Sequence, residues 1–191
     1  KLHLAIDEDG RLRPGVPDDS EAFNQAATWI LETEKPSTNP HVESRQLLKI
    51  GDSIFLRNLA NGEYLDTCEY IRGTPLVDLV DTQKLHVFAS EQLNRGDRLT
   101  GTWQIESALE QPDGETLRYG DVIHLKNLFH EGGAGWLDHS GLVSELPVFS
   151  ELESIAQQQA AVTTSRHSPA SDRSEQWMVL DRNSKATGQP V

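Results

Sequence analysis

Leu117-Arg118-Tyr119-Gly120-Asp121-Val122-Ile123-His124-Leu125-Lys126-Asn127 is the stretch that decides the fold. Leu48-Lys49-Ile50-Gly51-Asp52-Ser53-Ile54-Phe55-Leu56-Arg57-Asn58 lines up with it position for position and without a gap, from Leu48 against Leu117 to Asn58 against Asn127. After each Gly-Asp, Ile54 and Leu56 alternate with Phe55 and Arg57, and Ile123 and Leu125 with His124 and Lys126. A period of two marks a strand with one buried face. Gly-Asp in front of it is turn chemistry, because glycine takes positive φ freely and aspartate can bond the backbone two residues on.

Three tryptophans extend the echo outward. Trp29, Trp103 and Trp177 are evenly spaced, the step from the first to the second being the same as from the second to the third. Each stands in a short β-prone context: Ala27-Thr28-Trp29-Ile30-Leu31, Gly101-Thr102-Trp103-Gln104-Ile105 and Glu175-Gln176-Trp177-Met178-Val179. A further element follows each Gly-Asp strand, Gly62-Glu63-Tyr64-Leu65-Asp66 and Gly135-Trp136-Leu137-Asp138. Lys1-Leu2-His3-Leu4 is its first copy, with Gly10-Arg11-Leu12-Arg13 and then Trp29 in the expected order. The first unit shows no Gly-Asp strand, so either the sequence begins inside that unit or the unit is degenerate.

Fixed internal spacing is the mark of repeat architecture. The sequence reads as one domain over 1–191, with units at about 1–34, 47–106 and 115–182, a linker at 35–46 around Pro36 and Pro40, and a frayed tail at 183–191. Three units are too few for a propeller, and a solenoid has a shorter period. Closing three units on a pseudo-threefold axis gives a β-trefoil, which leaves no exposed sheet edge. An immunoglobulin-like sandwich is the rival, but it predicts no threefold echo. The expected fold is all-β, a β-trefoil of three pseudo-repeats with long inserted loops. Within those loops, Leu76–Val80 and Leu85–Phe88 read as strands, Glu151–Ala161 as one short helix, and Thr163–Ser174 as a mobile loop.

The Leu117–Leu125 stretch followed by Gly135-Trp136-Leu137 resembles the MIR-type trefoil motif. That motif occurs in protein O-mannosyltransferases and in the N-terminal trefoils of inositol trisphosphate and ryanodine receptors. Leu48–Leu56 with Tyr64-Leu65 is similar to it as well, so the resemblance covers roughly a third of the chain. It consists of fold-determining positions; what it implies is a fold, and it says little about a ligand. Ricin-like trefoil lectins carry a glutamine two residues before each tryptophan. Ala27, Gly101 and Glu175 stand there, so a galactose site of that kind is not expected.

Bulk composition narrows the function classes. Apolar residues make up 36% and charged residues 25%, enough for an economical core. Thirty acids against 17 bases give a net charge of −13, which would repel nucleic acid and anionic membranes. Apolar runs such as Trp29-Ile30-Leu31 are far too short to span a bilayer, so a soluble protein without membrane insertion is expected. One cysteine, Cys68, forbids an internal disulfide; that slightly favours the cytoplasm over secretion. The sequence carries no signal of oligomeric state.

Symmetric large aromatics in a repeat fold belong to the core, which is how Trp29, Trp103 and Trp177 read. Trp136 differs, because it follows the glycine-rich Glu131–Gly135 and precedes Asp138 and His139. An aromatic platform beside carboxylates suits sugar hydroxyls, so Trp136, Asp138, His139, Tyr64 and Asp66 are the candidate ligand-binding residues. Two plainer readings compete: Trp136 packs in the place of Tyr64, and Asp66 and Asp138 form turns. Seven histidines show no metal-ligand spacing, no Gly-x-Ser-x-Gly occurs, and no glycine-rich phosphate loop precedes a helix. No metal, cofactor or catalytic residue is expected. The leading expectation is a non-enzymatic module binding a glycan or another ligand through its loops. A protein-interaction or protease-inhibitor-like trefoil is second, and a hydrolase with a triad assembled only in three dimensions third.

Overall fold

The computed structural model describes residues 3–6, 12–15, 20–33, 47–67, 87–94, 99–129, 135–142, 160–165, 176–181, 183 and 185–191. Their architecture is antiparallel β with one short helix. Strand β1 (His3–Ile6) pairs with β2 (Leu12–Gly15) as a two-stranded ribbon. The helix α1 (Glu21–Ala26) starts at Ser20, whose Oγ accepts the Phe23 amide at 3.0 Å. The order β3 (Trp29–Thr33), β4 (Ser53–Asn58), β5 (Tyr64–Thr67), β6 (Val87–Ser90), β7 (Trp103–Ser107), β8 (Val122–Asn127), β9 (Gly135–Leu142), β10 (Ala160–Ser165) and β11 (Trp177–Met178) then builds a nine-stranded sheet. Its path is β10-β9-β8-β7-β4-β5-β6, with β11 on β8 and β3 on β4. No helix among the described residues is long and apolar enough to cross a membrane.

The two Gly-Asp elements have the same construction. Gly51 and Gly120 take positive φ, 92° and 113°, as the turn reading requires. Their aspartates act backwards rather than forwards: Asp52 Oδ2 accepts the Lys49 amide and Asp121 Oδ2 the Arg118 amide, both at 2.8 Å. Each following strand ends on a fully buried asparagine. Asn58 Nδ2 donates to Ala26 O and its Oδ1 accepts the Ala60 amide; Asn127 does the same with Thr100 O and Phe129. Burying an amide in apolar surroundings is tolerable only with such bonds made. The expected alternation holds on one face only, since Phe55 and His124, placed outside by the pattern, are buried too.

One indole bond recurs three times. Trp29 Nε1 donates to Leu4 O at 3.0 Å, Trp103 Nε1 to Leu65 O at 3.0 Å, and Trp177 Nε1 to Leu137 O at 2.9 Å. Trp103 is fully buried among Ile54, Leu65, Ile105, Leu117, Leu125 and Leu137, whereas Trp29 and Trp177 are half-buried against the same cluster. A ring of backbone bonds lies at one end of the core. Leu117 N donates to Leu48 O at 2.8 Å, Val191 N to Leu117 O at 3.0 Å, and Leu48 N to Val191 O at 3.1 Å.

That ring corrects the expectation of a frayed tail. Besides Val191, Gly188 N donates to Tyr119 O and Tyr119 N to Gln189 O, so the end of the chain is bonded into the structure. At the described ends of two further expected elements a strand stands instead, where β-branched residues favour it. Thr163 to Ser165, read as loop, lie in β10, and so do Ala160 and Ala161 from the end of the expected helix. The helix that does form, α1, lay in a stretch read without one. Of the expected strands between units, Val87 and Phe88 lie in β6; Leu76–Val80, the linker 35–46 and Glu151–Gln159 lie outside the described residues.

Candidate functional site

Three neighbouring strands bring an aromatic, an acid and a base together. Cross-strand pairing sets Lys126 of β8 opposite Trp136 of β9 and Gln104 of β7, which puts Glu106, opposite His124, two pairs further along. Gly135, with φ of 109°, turns the chain into β9 so that Trp136 follows at this register. The Trp136 indole N–H donates to Glu106 Oε2 at 2.8 Å, while Lys126 Nζ lies 3.4 Å from Glu106 Oε1 and 5.5 Å from the Trp136 ring centroid. Both carboxylate oxygens are thus engaged, and the ammonium stands where a ring quadrupole attracts it. Trp136 is half-buried, and the Lys126 and Glu106 side chains keep 28% and 33% of their surface, so the group is held in place and still wet.

The same kind of group stands on β3, β4 and β5. Arg57 Nε donates to Glu32 Oε1 at 2.7 Å, with Nη2 also 2.7 Å from that oxygen, and Arg57 pairs with Tyr64 across the strands. These ion pairs are too exposed to stabilise the fold by more than about 1 kcal/mol each. Their effect is to fix geometry. Glu32, Arg57, Glu106 and Lys126 were not singled out from sequence, yet the signal existed. Glu32 follows Trp29 at the same distance as Glu106 follows Trp103, and Arg57 lines up with Lys126 when the Gly-Asp strands are matched.

The remaining sequence candidates are distributed differently. Asp66 and Asp138 sit inside β5 and β9 rather than in turns, and they are 0% and 3% exposed. Asp66 Oδ1 accepts the Thr67 amide at 2.6 Å. His139 is half-buried and meets Trp177 edge-on, with ring centroids 5.9 Å apart at 87°. Tyr64 is half-buried opposite Arg57 and Ser90. The structure therefore joins Trp136 to Glu106 and Lys126, sends His139 to Trp177, and encloses both aspartates. Among the described residues no group of three or more histidine, cysteine, aspartate or glutamate side chains is disposed to hold a metal ion. Cys68, His41, His86, His130 and His167 lie outside the described residues.

No family model and no curated protein matches the chain. Solved structures do share its fold. A Caenorhabditis elegans protein of unknown function superposes with a TM-score of 0.53 at 16% identity, covering 95% of this chain and 86% of that one. The SDF2-like protein of Arabidopsis thaliana gives 0.52 at 16% identity, over 94% and 89%. The Saccharomyces cerevisiae protein O-mannosyltransferase complex Pmt1-Pmt2, solved bound to its sugar donor, gives 0.53 at 14% identity. There the match covers 99% of this chain but 24% of the mannosyltransferase chain. At these identities the likeness is one of fold.

Proposed function

We propose that this chain is a non-enzymatic recognition module, a MIR-type β-trefoil that binds a glycan on the surface formed by Trp136, Glu106 and Lys126. The observation that carries the reading is the half-exposed indole locked by its own N–H to a carboxylate. A fixed aromatic face stacks on the apolar face of a pyranose without losing rotamer freedom on binding, and the flanking charges bond its hydroxyls. The threefold indole–carbonyl bond and the three-way backbone ring support the trefoil part. Likeness in fold to part of a sugar-handling mannosyltransferase agrees with the glycan part, while covering too little of that enzyme to carry its activity here. Asp66 and Asp138 support the strands under the surface rather than contacting the sugar, and the Tyr64–Arg57–Glu32 group is a second, weaker surface of the same kind.

A glycan array followed by sugar titration, read by tryptophan emission, tests the proposal. Trp136→Ala is expected to weaken binding at least tenfold with the far-ultraviolet circular dichroism unchanged, and Lys126→Ala to weaken it less. No glycan bound, or equal affinity in Trp136→Ala, defeats it.

A further inference from the structure

Two groups of the same build stand on two sets of three strands. In the first, Gln104, Lys126 and Trp136 are paired in a row across β7, β8 and β9, and Glu106 comes two residues after Gln104. In the second, Ile30, Arg57 and Tyr64 are paired in a row across β3, β4 and β5, and Glu32 comes two residues after Ile30. An aromatic, a base and an acid thus occupy the same register in both. The ion pairs are also equally wet: Lys126 and Glu106 keep 28% and 33% of their side-chain surface, Arg57 and Glu32 34% and 32%. Leu180 holds the corresponding place after Trp177, so the third unit has no acid there.

What each group offers a ligand follows from the bonds it already makes. Glu106 accepts the Trp136 indole N–H at one oxygen and faces the Lys126 ammonium with the other. A carboxylate has about four lone-pair positions and an ammonium three donors, so acceptor and donor capacity are left side by side. Arg57 directs Nε and Nη2 to Glu32 Oε1, a pairing that uses neither its Nη1 nor Glu32 Oε2. A sugar hydroxyl both donates and accepts, and two neighbouring hydroxyls match such a pair. A carboxylate or sulfate only accepts. It would compete with Glu106 for Lys126, or with Glu32 for Arg57, and would meet the negative charge of that acid at close range. Displacing Glu106 would also take the acceptor from the Trp136 indole and release the ring. The net charge of −13 adds repulsion at longer range.

Building on the glycan reading of the Trp136 surface, we propose that both groups select neutral pyranosides and reject acidic ones (uronic or sulfated), with two sugar residues bound per chain. Rejection comes from giving each cation its own acid, a repulsive element directed against one class of ligand. The Tyr64 group is the weaker, because its ring is smaller and has no indole N–H to hold it to Glu32.

The probes are the methyl glycosides of glucose, galactose and mannose, each matched with that of its uronic acid, in which a carboxylate replaces the C6 hydroxymethyl group. Each is titrated into the full chain and followed by amide chemical shifts. At least one neutral sugar is expected to shift signals around both Trp136 and Tyr64, and to bind at least about tenfold tighter than its uronic acid. Glu106→Gln keeps an acceptor for the indole but leaves Lys126 without a counter-charge; it is expected to erase that preference at Trp136 and preserve it at Tyr64. Glu32→Gln makes the converse test, so one variant suffices if the other does not fold. A preference that survives both substitutions, or uronic acids that bind as tightly as neutral sugars while still requiring Trp136, overturns the charge selection and leaves the glycan reading standing. Shifts confined to the Trp136 group overturn the second site. No shift with any of these sugars overturns both the selection and the glycan reading beneath it.

Discussion

Replacing each repeated tryptophan by phenylalanine separates a fully buried position from two half-buried ones. In Trp103→Phe the Leu65 carbonyl loses its indole donor inside the core, and an unsatisfied buried acceptor costs about 1–2 kcal/mol. The smaller ring leaves about 40 Å³ unfilled, which at about 24 cal/mol per Å³ adds roughly 1 kcal/mol. Lost transfer energy of the missing ring atoms adds about 1 kcal/mol. Together these come to about 3–4 kcal/mol at Trp103, which is 0% exposed. Trp29 and Trp177 are half-buried, so water can replace the indole N–H at Leu4 O and Leu137 O, and the loss should be about half as large. Urea unfolding followed by far-ultraviolet circular dichroism measures all three without depending on the emission that the substitutions remove. Equal losses at the three sites, or a smaller loss at Trp103 than at Trp29, would refute the reasoning from burial.

Other substitutions probe the turns. Gly120→Ala forces an alanine into φ of 113° and brings its Cβ to 3.1 Å from the Ala186 methyl, whereas Gly62→Ala at φ of 77° meets nothing within 4 Å. Both should lose about 1–2 kcal/mol to the backbone strain, with Gly120→Ala the worse by thermal melting. Asp181 is held below the ordinary carboxylate range, chiefly by the Lys185 amide and also by the Asn183 amide. Its folded form binds its proton less tightly than the unfolded chain does, so its stabilising contribution is present above the ordinary carboxylate pKa and is lost as pH falls through the folded value. Carboxyl titration by NMR should show Asp181 titrating below an unstructured aspartate, and Asp181→Asn should flatten the acid limb of the stability profile.

Much of the arrangement was legible because single residues carried it. A glycine that must take positive φ, an indole that must find one acceptor and an asparagine that must cap one loop leave marks at fixed spacing, as Gly51 and Gly120, the three tryptophans, and Asn58 and Asn127 do. What escaped the sequence depended on partners far along the chain. Thr163–Ser165 look like loop until β9 pairs with them, and Asp66 and Asp138 look like turn formers until β6 and β10 enclose their strands. Trp136 stood out by its glycine-rich approach, but its partners Glu106 and Lys126 come earlier in the chain, on two other strands. The helix α1 went unread because so short a helix does not hold without tertiary support, and its cap at Ser20 is a weak local mark.

The three indole bonds close loops of different size, linking residues 25, 38 and 40 apart. Loop-closure entropy grows only as the logarithm of length, so stretching such an excursion from the shortest to the longest costs about 0.4 kcal/mol. The anchors are therefore nearly indifferent to what is threaded between them. A segment spliced into an excursion would be held at both ends by an existing tryptophan and its carbonyl, which makes these stretches natural ports for grafting new sequence onto the scaffold.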